Sequence, residues 1–380
     1  MDYFKKSLEV HKNKKGKLEI KSKVPLKNKN DLSIAYTPGV AEPCRQIAKN
    51  PLDAYKYTIK ANSVAVVTNG TAVLGLGNIG PTAALPVMEG KCLLFKEFAN
   101  IDAYPICIDS QNTEEIIKIV KAISPGFGGI NLEDIKAPDC FEIEERLKKE
   151  LDIPVFHDDQ HGTAIVILAA LINALKVVNK KAGQVKIIIN GAGAAGIATT
   201  KLLLSYGVKD IILIDSQGTI YKNRVGLNPA KKEIARVTNL EKLKGRIEHV
   251  IQGSDVFIGL SVPKVLRKEW VRMMASKAIV FAMANPVPEI MPVQAKQTGV
   301  AIMATGRSDF KNQINNVLAF PGVFRGLLDS QAKQVTEKMK LMAAQALASL
   351  VKKPTPNKII PGVFEKNIVK KIALSIRDCP

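Results

Sequence analysis

The chain has 380 residues, 46% hydrophobic and 24% charged, which is typical of a globular protein long enough for two domains. Its net charge is +20, but its lysines are spread out and only 5% of residues are aromatic, so we predict no nucleic-acid binding. The longest apolar run (164–178) is broken by Asn173 and Lys176, and five scattered cysteines suit a reducing compartment. We therefore expect a cytoplasmic protein without a membrane segment.

The first 60 residues contain one feature that points beyond packing. Residues 1–30 alternate charged and apolar positions, which predicts a helix followed by a short strand or loop. Tyr36 then precedes Pro38 and Gly39, and the proline restricts the backbone before it to extended conformations. The next stretch is predicted to be helical. Taken alone, Tyr36 is more simply explained as an aromatic residue packed at a turn.

Three apolar runs in the next segment predict buried strands: VAVV (64–67), CLLF (92–95) and YPICI (104–108). Lys91 lies just before the second run. A lone lysine near the start of a strand is usually solvated, with only its aliphatic stem packed against the protein. A crossover helix is predicted over 112–124, with a capping sequence at Thr113.

Acidic residues follow two later apolar strands. Glu133 and Asp134 end one strand, and Asp158 and Asp159 come directly after the next, within the sequence HDDQH. Mg²⁺ and Mn²⁺ prefer carboxylate oxygens, so these residues predict a site for a hard divalent cation. The two histidines of HDDQH suggest zinc, but no third nitrogen or sulfur ligand lies at suitable spacing. The alternative is that Asp158 and Asp159 only cap the apolar helix that follows.

Residues 185–215 form a complete strand–turn–helix–strand pattern. The apolar run 185–189 predicts a strand, residues 198–206 have helical spacing, and a second strand (211–214) ends at Asp215. The turn after the first strand has the pattern G-x-G-x-x-G and consists of Gly191, Ala192, Gly193, Ala194, Ala195 and Gly196. Such a turn lets the backbone approach a pyrophosphate, and the acidic residue accepts hydrogen bonds from the ribose hydroxyls. We therefore predict an NAD- or NADP-binding unit, the alternative being a similar unit kept only for packing.

A second copy of the glycine pattern carries less weight. Gly75, Gly77 and Gly80 have the same spacing, but Pro81 and Pro86 follow at once. Prolines suit a long regular helix poorly, so we predict no dinucleotide site there.

Amide side chains follow the later strands of the second half. Asn285 precedes Pro286 at the end of one predicted strand, and Asn315 and Asn316 lie before another apolar segment. The carboxyl ends of strands are where open α/β sheets bind ligands, and neutral amides can donate to a carboxylate. An asparagine pair alone is more often a turn or a cap.

Seven motifs, in this order along the chain, resemble those of the malic enzymes of the short bacterial type. They are SIAYTPGVAEPC, AVLGLGNIG with LPVMEGKCLLFKEFA, NLEDI, VFHDDQHGTA, GAGAAGIA, FAMANPVPEI and GRSDFKNQINNVLAFPG. The resemblance covers the chain from end to end. It implies an α/β fold with an N-terminal substrate domain (1–160) and a C-terminal Rossmann-like domain with a doubly wound parallel sheet (161–380).

The resemblance also implies roles for individual residues. It implies a Mg²⁺ or Mn²⁺ site with the ligands Glu133, Asp134 and Asp159. It implies that Tyr36 and Lys91 form an acid–base pair, with Asp158 helping to set the protonation of the lysine. The residues expected to hold malate are Asn285 and Asn315, with Asn316 beside them, and Asn285 also borders the cofactor.

The implied reaction is the oxidative decarboxylation of L-malate to pyruvate and CO₂, in a homodimer. Lys91 would remove the hydroxyl proton, which requires a lowered lysine pKa, and Tyr36 would protonate C3 of the product enol. Because no basic residue follows Asp215 directly, a 2′-phosphate would meet a carboxylate. This favours NAD over NADP, although NADP remains possible.

The sequence departs from the family pattern at three positions. Asn69 and Asn78 stand where aspartate is expected, and we expect them to change local hydrogen bonds without loss of activity. Ala72 stands where the larger malic enzymes have an arginine that clamps a substrate carboxylate.

Two other functions compete with this interpretation. A hydroxy-acid or amino-acid dehydrogenase without decarboxylation would share the nucleotide unit but would not need the acidic residues. A catalytically inactive, basic scaffold or nucleic-acid binder would account for the net charge, but not for the intact set of Tyr36, Lys91 and the three carboxylates.

Overall fold

One parallel and one mixed β-sheet organise the chain in the computed structural model, which describes residues 2–73 and 75–379. The first sheet has the order β2-β1-β3-β4, with the strands β1 (Ser63–Thr68), β2 (Asp102–Cys107), β3 (Gly129–Leu132) and β4 (Val155–His157). The second has the order β10-β9-β8-β5-β6-β7, with the strands β5 (Lys186–Asn190), β6 (Asp210–Asp215), β7 (Gly218–Thr219), β8 (Val256–Gly259), β9 (Ile279–Ala282) and β10 (Ile302–Thr305). All the strand pairs are parallel except β6–β7. The predicted α/β fold is confirmed.

Helices connect the strands and cover the sheets. Those before β5 are α1 (Tyr3–Lys14), α2 (Lys29–Ala35), α3 (Ala41–Lys49), α4 (Ala54–Tyr57), α5 (Pro81–Ala99), α6 (Thr113–Ile123), α7 (Asp139–Glu150) and α8 (Asp158–Val178). Those after it are α9 (Ala194–Ser205), α10 (Pro229–Ile234), α11 (Ile247–Val250), α12 (Lys268–Arg272), α13 (Pro292–Lys296), α14 (Phe320–Asp329), α15 (Glu337–Ser349) and α16 (Ile368–Arg377). Short 3₁₀ helices occupy Pro51–Asp53, Ile59–Asn62, Ser124–Gly126, Ala182–Gln184 and Asn316–Leu318.

The second sheet reverses its winding next to β5. The chain runs from β5 to β6 on one side and returns to β8 on the other side of β5. Open α/β sheets bind ligands in the crevice outside the carboxyl ends of two such strands. Here the crevice lies between Gly191, which follows β5, and Ser261, which follows β8, and the Asn190 amide donates a 2.6 Å hydrogen bond to the Ser261 hydroxyl.

The predicted strands at 64–67 and 104–108 are confirmed by β1 and β2, but the strand predicted at CLLF is wrong. Residues 92–95 belong to α5, whose buried residues recur every three or four positions: Ala84, Met88, Lys91, Cys92, Phe95 and Ala99. That helical period outweighs a four-residue apolar run. The prolines do not prevent this helix either. Pro81 occupies its first position, where no backbone donor is needed, and Pro86 lies within the helix.

The crossover helix is confirmed, but its cap is one residue earlier than predicted. α6 begins at Thr113, and the N-cap is Asn112, whose side-chain oxygen accepts a 3.1 Å hydrogen bond from the Glu115 amide.

Helix α8 links the two sheets and runs through residue 160, where we predicted the domain boundary. The position of that boundary stays a prediction. By length and composition alone α8 could span a membrane, but most of its residues are buried inside the protein. It packs against α9 and α15 and contributes the largest continuous part of the main hydrophobic core. Its apolar character is therefore explained by packing.

The N-terminal segment contrasts with the rest of the fold. No residue from 2 to 62 is buried, and all of them are described by the structure. This segment carries 15 of the 24 exposed large apolar side chains found among the described residues. Many exposed apolar side chains within one segment are typical of a surface that another protein covers.

Candidate active site

The acidic residues predicted from sequence meet at the carboxyl edge of the first sheet. Glu133 and Asp134 follow β3, while Asp158 and Asp159 open α8 directly after β4. Because β3 and β4 are adjacent and parallel, with Leu132 opposite His157, both pairs emerge at the same edge. Ligand atoms of Glu133, Asp134 and Asp159 lie within 4.8 Å of one another.

These three carboxylates fit a hard divalent cation. They supply only oxygen donors, as Mg²⁺ and Mn²⁺ require. The backbone of Asp134 is held in the left-handed region (φ 53°), and its N–H donates a 2.8 Å hydrogen bond to Asp159 Oδ2. Burial, together with repulsion between Glu133 and Asp159, raises the pKa of the Glu133 carboxyl. A cation between the carboxylates would offset both the burial of the Glu133 charge and its repulsion by Asp159.

Lys91 is buried against this cluster. Its side chain is 7% exposed, and its Nζ lies 2.8 Å from Glu133 Oε1 and 2.6 Å from Asp158 Oδ2. The ammonium also lies 4.3 Å from the centre of the Phe320 ring. The interpretation of Lys91 as a solvated lysine at a strand start is therefore wrong: it projects from the middle of α5 into the protein.

The predicted lowering of the Lys91 pKa is not found in this arrangement. Burial acts to lower it, but the charges of Asp158, Glu133 and Asp159 outweigh burial and raise the pKa. The lysine is thus protonated while those carboxylates are ionised and carry no other counter-charge.

Asp158 is fully buried and links Lys91 on α5 with Asn316 in the 3₁₀ helix that precedes α14. Its Oδ2 accepts hydrogen bonds from Lys91 Nζ at 2.6 Å and from Asn316 Nδ2 at 2.5 Å. A side chain at residue 162 would collide with it, since a Cβ there would lie 1.8 Å from Asp158 Oδ1, which explains Gly162. Capping of α8 alone does not account for this carboxylate, because its bonds go to side chains of other elements.

The three asparagines predicted to hold malate are placed differently. Asn316 uses its amide on Asp158, so in this arrangement it positions the carboxylate. Asn315 caps the 3₁₀ helix Asn316–Leu318 by accepting a hydrogen bond from the Val317 amide. Asn285 is exposed in the loop after β9, and a Cβ at Gly75 would lie 2.8 Å from its carbonyl oxygen. The second glycine pattern therefore lets the loop near Gly75 approach the Asn285 turn.

Tyr36 is not brought to Lys91. It follows the last residue of α2, is 67% exposed, and its side chain makes no hydrogen bond within the described part of the chain. The Lys91 ammonium contacts two carboxylates and the Phe320 ring. Tyr36 and Lys91 thus make no direct contact within the described residues of one copy of the chain.

The departures from the family pattern have local consequences. The Asn69 side chain is buried, donates to the Ser110 carbonyl at 3.2 Å and accepts from the Thr71 hydroxyl at 2.6 Å. A carboxylate could not make the first of these bonds. The Ala72 backbone N–H donates to the Asp134 carbonyl at 2.9 Å, so this segment supports the acidic cluster through its main chain.

The glycine turn after β5 has the geometry of a dinucleotide-binding turn. Gly191 has φ 121°, and a Cβ there would lie 2.2 Å from the Leu260 carbonyl oxygen. Gly196 lets α9 approach the strand, since its Cβ would lie 1.8 Å from the Gly191 carbonyl. The helix begins at Ala194, four residues earlier than predicted. The turn borders a cavity of about 720 Å³ that Asp215 and Ala137 also line.

No basic residue directly follows Asp215 in the sequence, but the fold brings two basic side chains to its carboxylate. Arg224 and Lys231, nine and sixteen residues later, both bond to it. Burial alone would raise the pKa of Asp215, but the hydrogen bonds from Arg224 and Lys231 outweigh burial and lower it to about 2. Nothing in local spacing indicates this, because the fold of the β6–α10 segment brings the cations back.

Sequence reasoning also missed Glu144 on α7, whose carboxylate binds residues at the start of α8. It accepts hydrogen bonds from the His157 backbone N–H, from Gln160 Nε2 and from His161 Nε2, the last at 2.8 Å. His161 is therefore held by a carboxylate. The only signal in the sequence is that Glu144 falls on the apolar face of an amphipathic helix, among Cys140, Ile143 and Leu147.

Comparison with known proteins places this geometry in a family. The chain matches the malic enzyme N-terminal domain over residues 15–148 and the malic enzyme NAD binding domain over residues 160–379. It is 59% identical to an NAD-dependent malic enzyme of Geobacillus stearothermophilus, over 95% of this chain and 76% of that protein. It is 55% identical to a bifunctional malic/malolactic enzyme of Bacillus subtilis, over 99% of this chain and 92% of that protein.

Solved structures agree with the sequence comparison. The malic enzyme from Pyrococcus horikoshii superposes with a TM-score of 0.96 at 48% identity, covering 99% of this chain and 90% of that one. The NAD-dependent malic enzyme from Thermotoga maritima gives a TM-score of 0.95 at 49% identity, covering 98% and 99%. The resemblance found in the motifs therefore extends to the whole fold, and the chain belongs to the malic enzyme family.

Proposed function

We propose that the protein oxidatively decarboxylates L-malate to pyruvate and CO₂ and reduces NAD(P)⁺. The observation that carries this proposal is the cluster of Glu133, Asp134 and Asp159 beside the buried Lys91. A dehydrogenase without decarboxylation has no need for such a cluster. The cluster also lies next to the dinucleotide cavity, since Ala137, three residues after Asp134, lines that cavity together with Gly191.

The acidic residues and the glycine turn hold the two groups that the reaction requires. A divalent cation on Glu133, Asp134 and Asp159 supplies a Lewis acid, which polarises the 2-hydroxyl and the neighbouring carboxylate of malate. The dinucleotide held at the turn around Gly191 supplies the acceptor for the hydride that leaves C2. The remaining steps are proton transfers assigned to side chains of this chain.

Lys91 is the base in the oxidation step. Its Nζ takes the proton from the 2-hydroxyl while C2 loses hydride, which leaves a ketone. This role requires the neutral amine. Burial is the strongest influence on the Lys91 pKa and acts to lower it. Neutralising the carboxylates that oppose burial therefore moves the pKa toward the range of a base.

Tyr36 is the acid in the last step. The bond between C3 and the adjacent carboxylate breaks, CO₂ leaves, and the electron pair remains in the enolate. The phenol of Tyr36 then donates its proton to C3, which gives pyruvate. Asn285 and Asn315 lie after β9 and β10 and are the amides proposed to donate to malate oxygens.

We propose that the protein works as a homodimer in which each copy supplies Tyr36 to the site of the other. Tyr36 is 67% exposed and has no hydrogen bond or ring contact with Lys91 among the described residues of one copy, although the mechanism needs both at one substrate. The segment 2–62 buries none of its residues and exposes apolar side chains along its length. A second copy would cover that surface and complete both sites through one two-fold interface.

Mixing two inactive variants tests this arrangement. Tyr36→Phe and Lys91→Met homodimers should each be inactive, whereas unfolding and refolding them together should restore about one quarter of wild-type activity. Half of the mixed protein would then be heterodimers with one intact site of two. A mixture of Tyr36→Phe and Asp158→Asn should also recover about one quarter of wild-type activity. In this mixture too, the two changed residues would come from different copies at each site.

The outcome of the mixing experiment separates two site geometries. If both catalytic residues came from one copy, each heterodimer site would carry one defect and the mixture would stay inactive. The control is a mixture of Lys91→Met and Asp158→Asn. Both of these residues lie in the same copy, in hydrogen-bond contact, so that mixture should recover no activity under the shared-site proposal.

We also propose a cytoplasmic location. Cys44, Cys92, Cys107 and Cys140 are free thiols, which suits a reducing compartment. The long apolar helix α8 is a core helix and gives no support to a membrane location. No feature of the dinucleotide cavity or the acidic cluster calls for nucleic acid.

The reaction itself is tested by following the absorbance of reduced nicotinamide with L-malate and NAD⁺ or NADP⁺, with pyruvate measured in the same sample. We expect equal amounts of reduced cofactor and pyruvate, loss of both on chelation of divalent cations, and recovery when Mn²⁺ is returned. Reduced cofactor without pyruvate would show a plain dehydrogenase. No reduction with either cofactor would contradict the proposed function.

A further inference from the structure

The first turn of α8 carries two carboxylates that are engaged away from its own N-terminus. The N-cap residue, His157, makes no side-chain capping hydrogen bond. Asp158 bonds to side chains of other elements, and Asp159 accepts a hydrogen bond from the Asp134 N–H. The first N–H groups of a helix have no partner within the helix and need acceptors from elsewhere. The start of α8 therefore needs an acceptor that its own acidic residues do not supply.

Glu144 of α7 supplies that acceptor. Its carboxylate accepts hydrogen bonds from the His157 backbone N–H at 3.2 Å, from Gln160 Nε2 at 3.1 Å and from His161 Nε2 at 2.8 Å. A glutamate of the helix itself accepts the N-cap N–H in a capping box, and an anion is favoured near the positive end of the helix. Burial acts to raise the pKa of Glu144, but its interactions with His161 outweigh burial and lower the pKa to about 2. An ionised carboxylate from another helix thus caps α8.

The orientation of His161 is fixed from its other side by α15. Lys340 Nζ lies 3.1 Å from His161 Nδ1 and 2.5 Å from Glu337 Oε1, and Lys340 is only 2% exposed. An ammonium group can only donate, so His161 Nδ1 accepts and its Nε2 carries the proton that is donated to Glu144. The hydrogen bonds therefore run in one direction, from α15 through His161 to Glu144.

The two helices that Glu144 connects are the ones next to the cation ligands. Glu133 and Asp134 follow β3, and α7 begins five residues later at Asp139. Asp159 lies in the first turn of α8, and the Asp134 N–H already bonds to it within the site. Glu144 joins the same two segments a second time, outside the site. A metal site binds best when neighbouring groups hold its ligands in place.

We propose that Glu144 is a positioning residue of the active site, which caps α8 from outside and so leaves Asp158 and Asp159 to the lysine and the cation. The inference rests on the proposed function only in that the three carboxylates bind the divalent cation of the reaction. It also explains the composition of HDDQH. The two aspartates serve the site, whereas the N-cap backbone, the glutamine and the second histidine bind Glu144.

Binding of Mn²⁺ to the whole chain tests this role without malate or dinucleotide, with the electron paramagnetic resonance signal of free Mn²⁺ as the readout. Glu144→Gln keeps the size of the side chain but loses its charge and one acceptor oxygen. It should raise the Kd for Mn²⁺ by about tenfold to a hundredfold, the range found for groups that orient metal ligands. In turnover, kcat should be low at limiting Mn²⁺ and return close to the wild-type value at saturating Mn²⁺.

Two controls separate positioning from stability. Glu145→Gln changes the next residue of α7, which is 67% exposed and pairs with Lys149, so it should bind Mn²⁺ as wild type does. Val120→Ala opens a cavity in the hydrophobic cluster that α7 shares with α6, so it should lower the Tm without changing the Kd for Mn²⁺. If Glu144→Gln likewise lost stability and kept the wild-type Kd, the residue would be merely structural and the proposal overturned.

A second variant changes the other side of the contact. His161→Leu removes one donor to Glu144 and keeps the carboxylate, so it should also weaken Mn²⁺ binding, but by less. The double variant should lose less affinity than the product of the two single losses, because both changes remove one shared contact. A full product would overturn the proposal. If Glu144→Gln does not fold, a wild-type Kd in His161→Leu would overturn it alone.

These measurements also distinguish this inference from the proposed function. A protein that forms no pyruvate from malate, but whose Mn²⁺ binding depends on Glu144, loses only the proposed function. An active enzyme whose Kd for Mn²⁺ is unchanged by both variants loses only this inference.

Discussion

Replacing Lys91 with methionine is expected to lower kcat for malate oxidation by about a thousandfold, within the range that a positioned general base contributes. Methionine fills much of the space of the lysine stem but cannot accept the hydroxyl proton. Steady-state kinetics with L-malate and saturating cofactor measures the loss. Cofactor binding, followed by the fluorescence of Trp270, which lines the dinucleotide cavity, should be unchanged, because Lys91 does not line that cavity.

Two controls separate the loss of the base from a loss of structure. Removing a buried cation leaves Glu133 and Asp158 without their partner, which destabilises a fold by about 3–5 kcal/mol, so urea unfolding must accompany the kinetics. Lys91→Arg keeps the charge but supplies a guanidinium that does not give up its proton, so it should stay inactive while folding normally. Lys96→Met, at an exposed position of the same helix, should have wild-type kcat. A Lys91→Met enzyme with more than about a tenth of wild-type kcat would contradict the assignment.

The acidic cluster could be predicted from the sequence because the pattern that indicates it lies within short segments of the chain. Each pair of carboxylates follows an apolar strand, and parallel strands end at one edge of a sheet. Knowing that β3 and β4 are neighbours was not needed to expect a cation site, only to place its atoms. The glycine turn was predictable for the same reason, since strand, turn, helix and acid lie within one short segment.

The predictions from sequence fail where contacts between distant segments determine the structure. CLLF is apolar over four residues, but the burial period of α5 extends over the whole helix, from Pro81 to Ala99. The protonation of Lys91 depends on charges from β3 and α8, which no spacing within α5 reveals. The neighbours of Asp215 arrive from a later turn and from α10. In each case a contact between distant segments overrides the local pattern.

Tyr36 marks a different limit. Its motif is intact in the sequence, yet a single copy leaves the side chain exposed. A motif records that a residue takes part in a site but does not record from which copy it comes. The proposed interface between two copies therefore rests on the exposure of the whole segment 2–62, and not on the tyrosine alone.

Replacing Asp159 with asparagine is expected to weaken Mn²⁺ binding and lower kcat/KM for malate by about a hundredfold or more, because the cation loses a charged ligand and the reaction its Lewis acid. Asparagine keeps the shape of the side chain and an oxygen that can accept the Asp134 N–H. The direct readout is thermal unfolding: Mn²⁺ should raise the Tm of wild-type protein, since a ligand of the folded state stabilises it by mass action. Asp159→Asn should show little such rise at the same concentration. Asp152→Asn, at a 91% exposed position between α7 and β4, should respond to Mn²⁺ as wild type does. If Asp159→Asn gained the full stabilisation by Mn²⁺, the cation would have to bind elsewhere, and the carboxylates beside Lys91 would serve only to hold its charge.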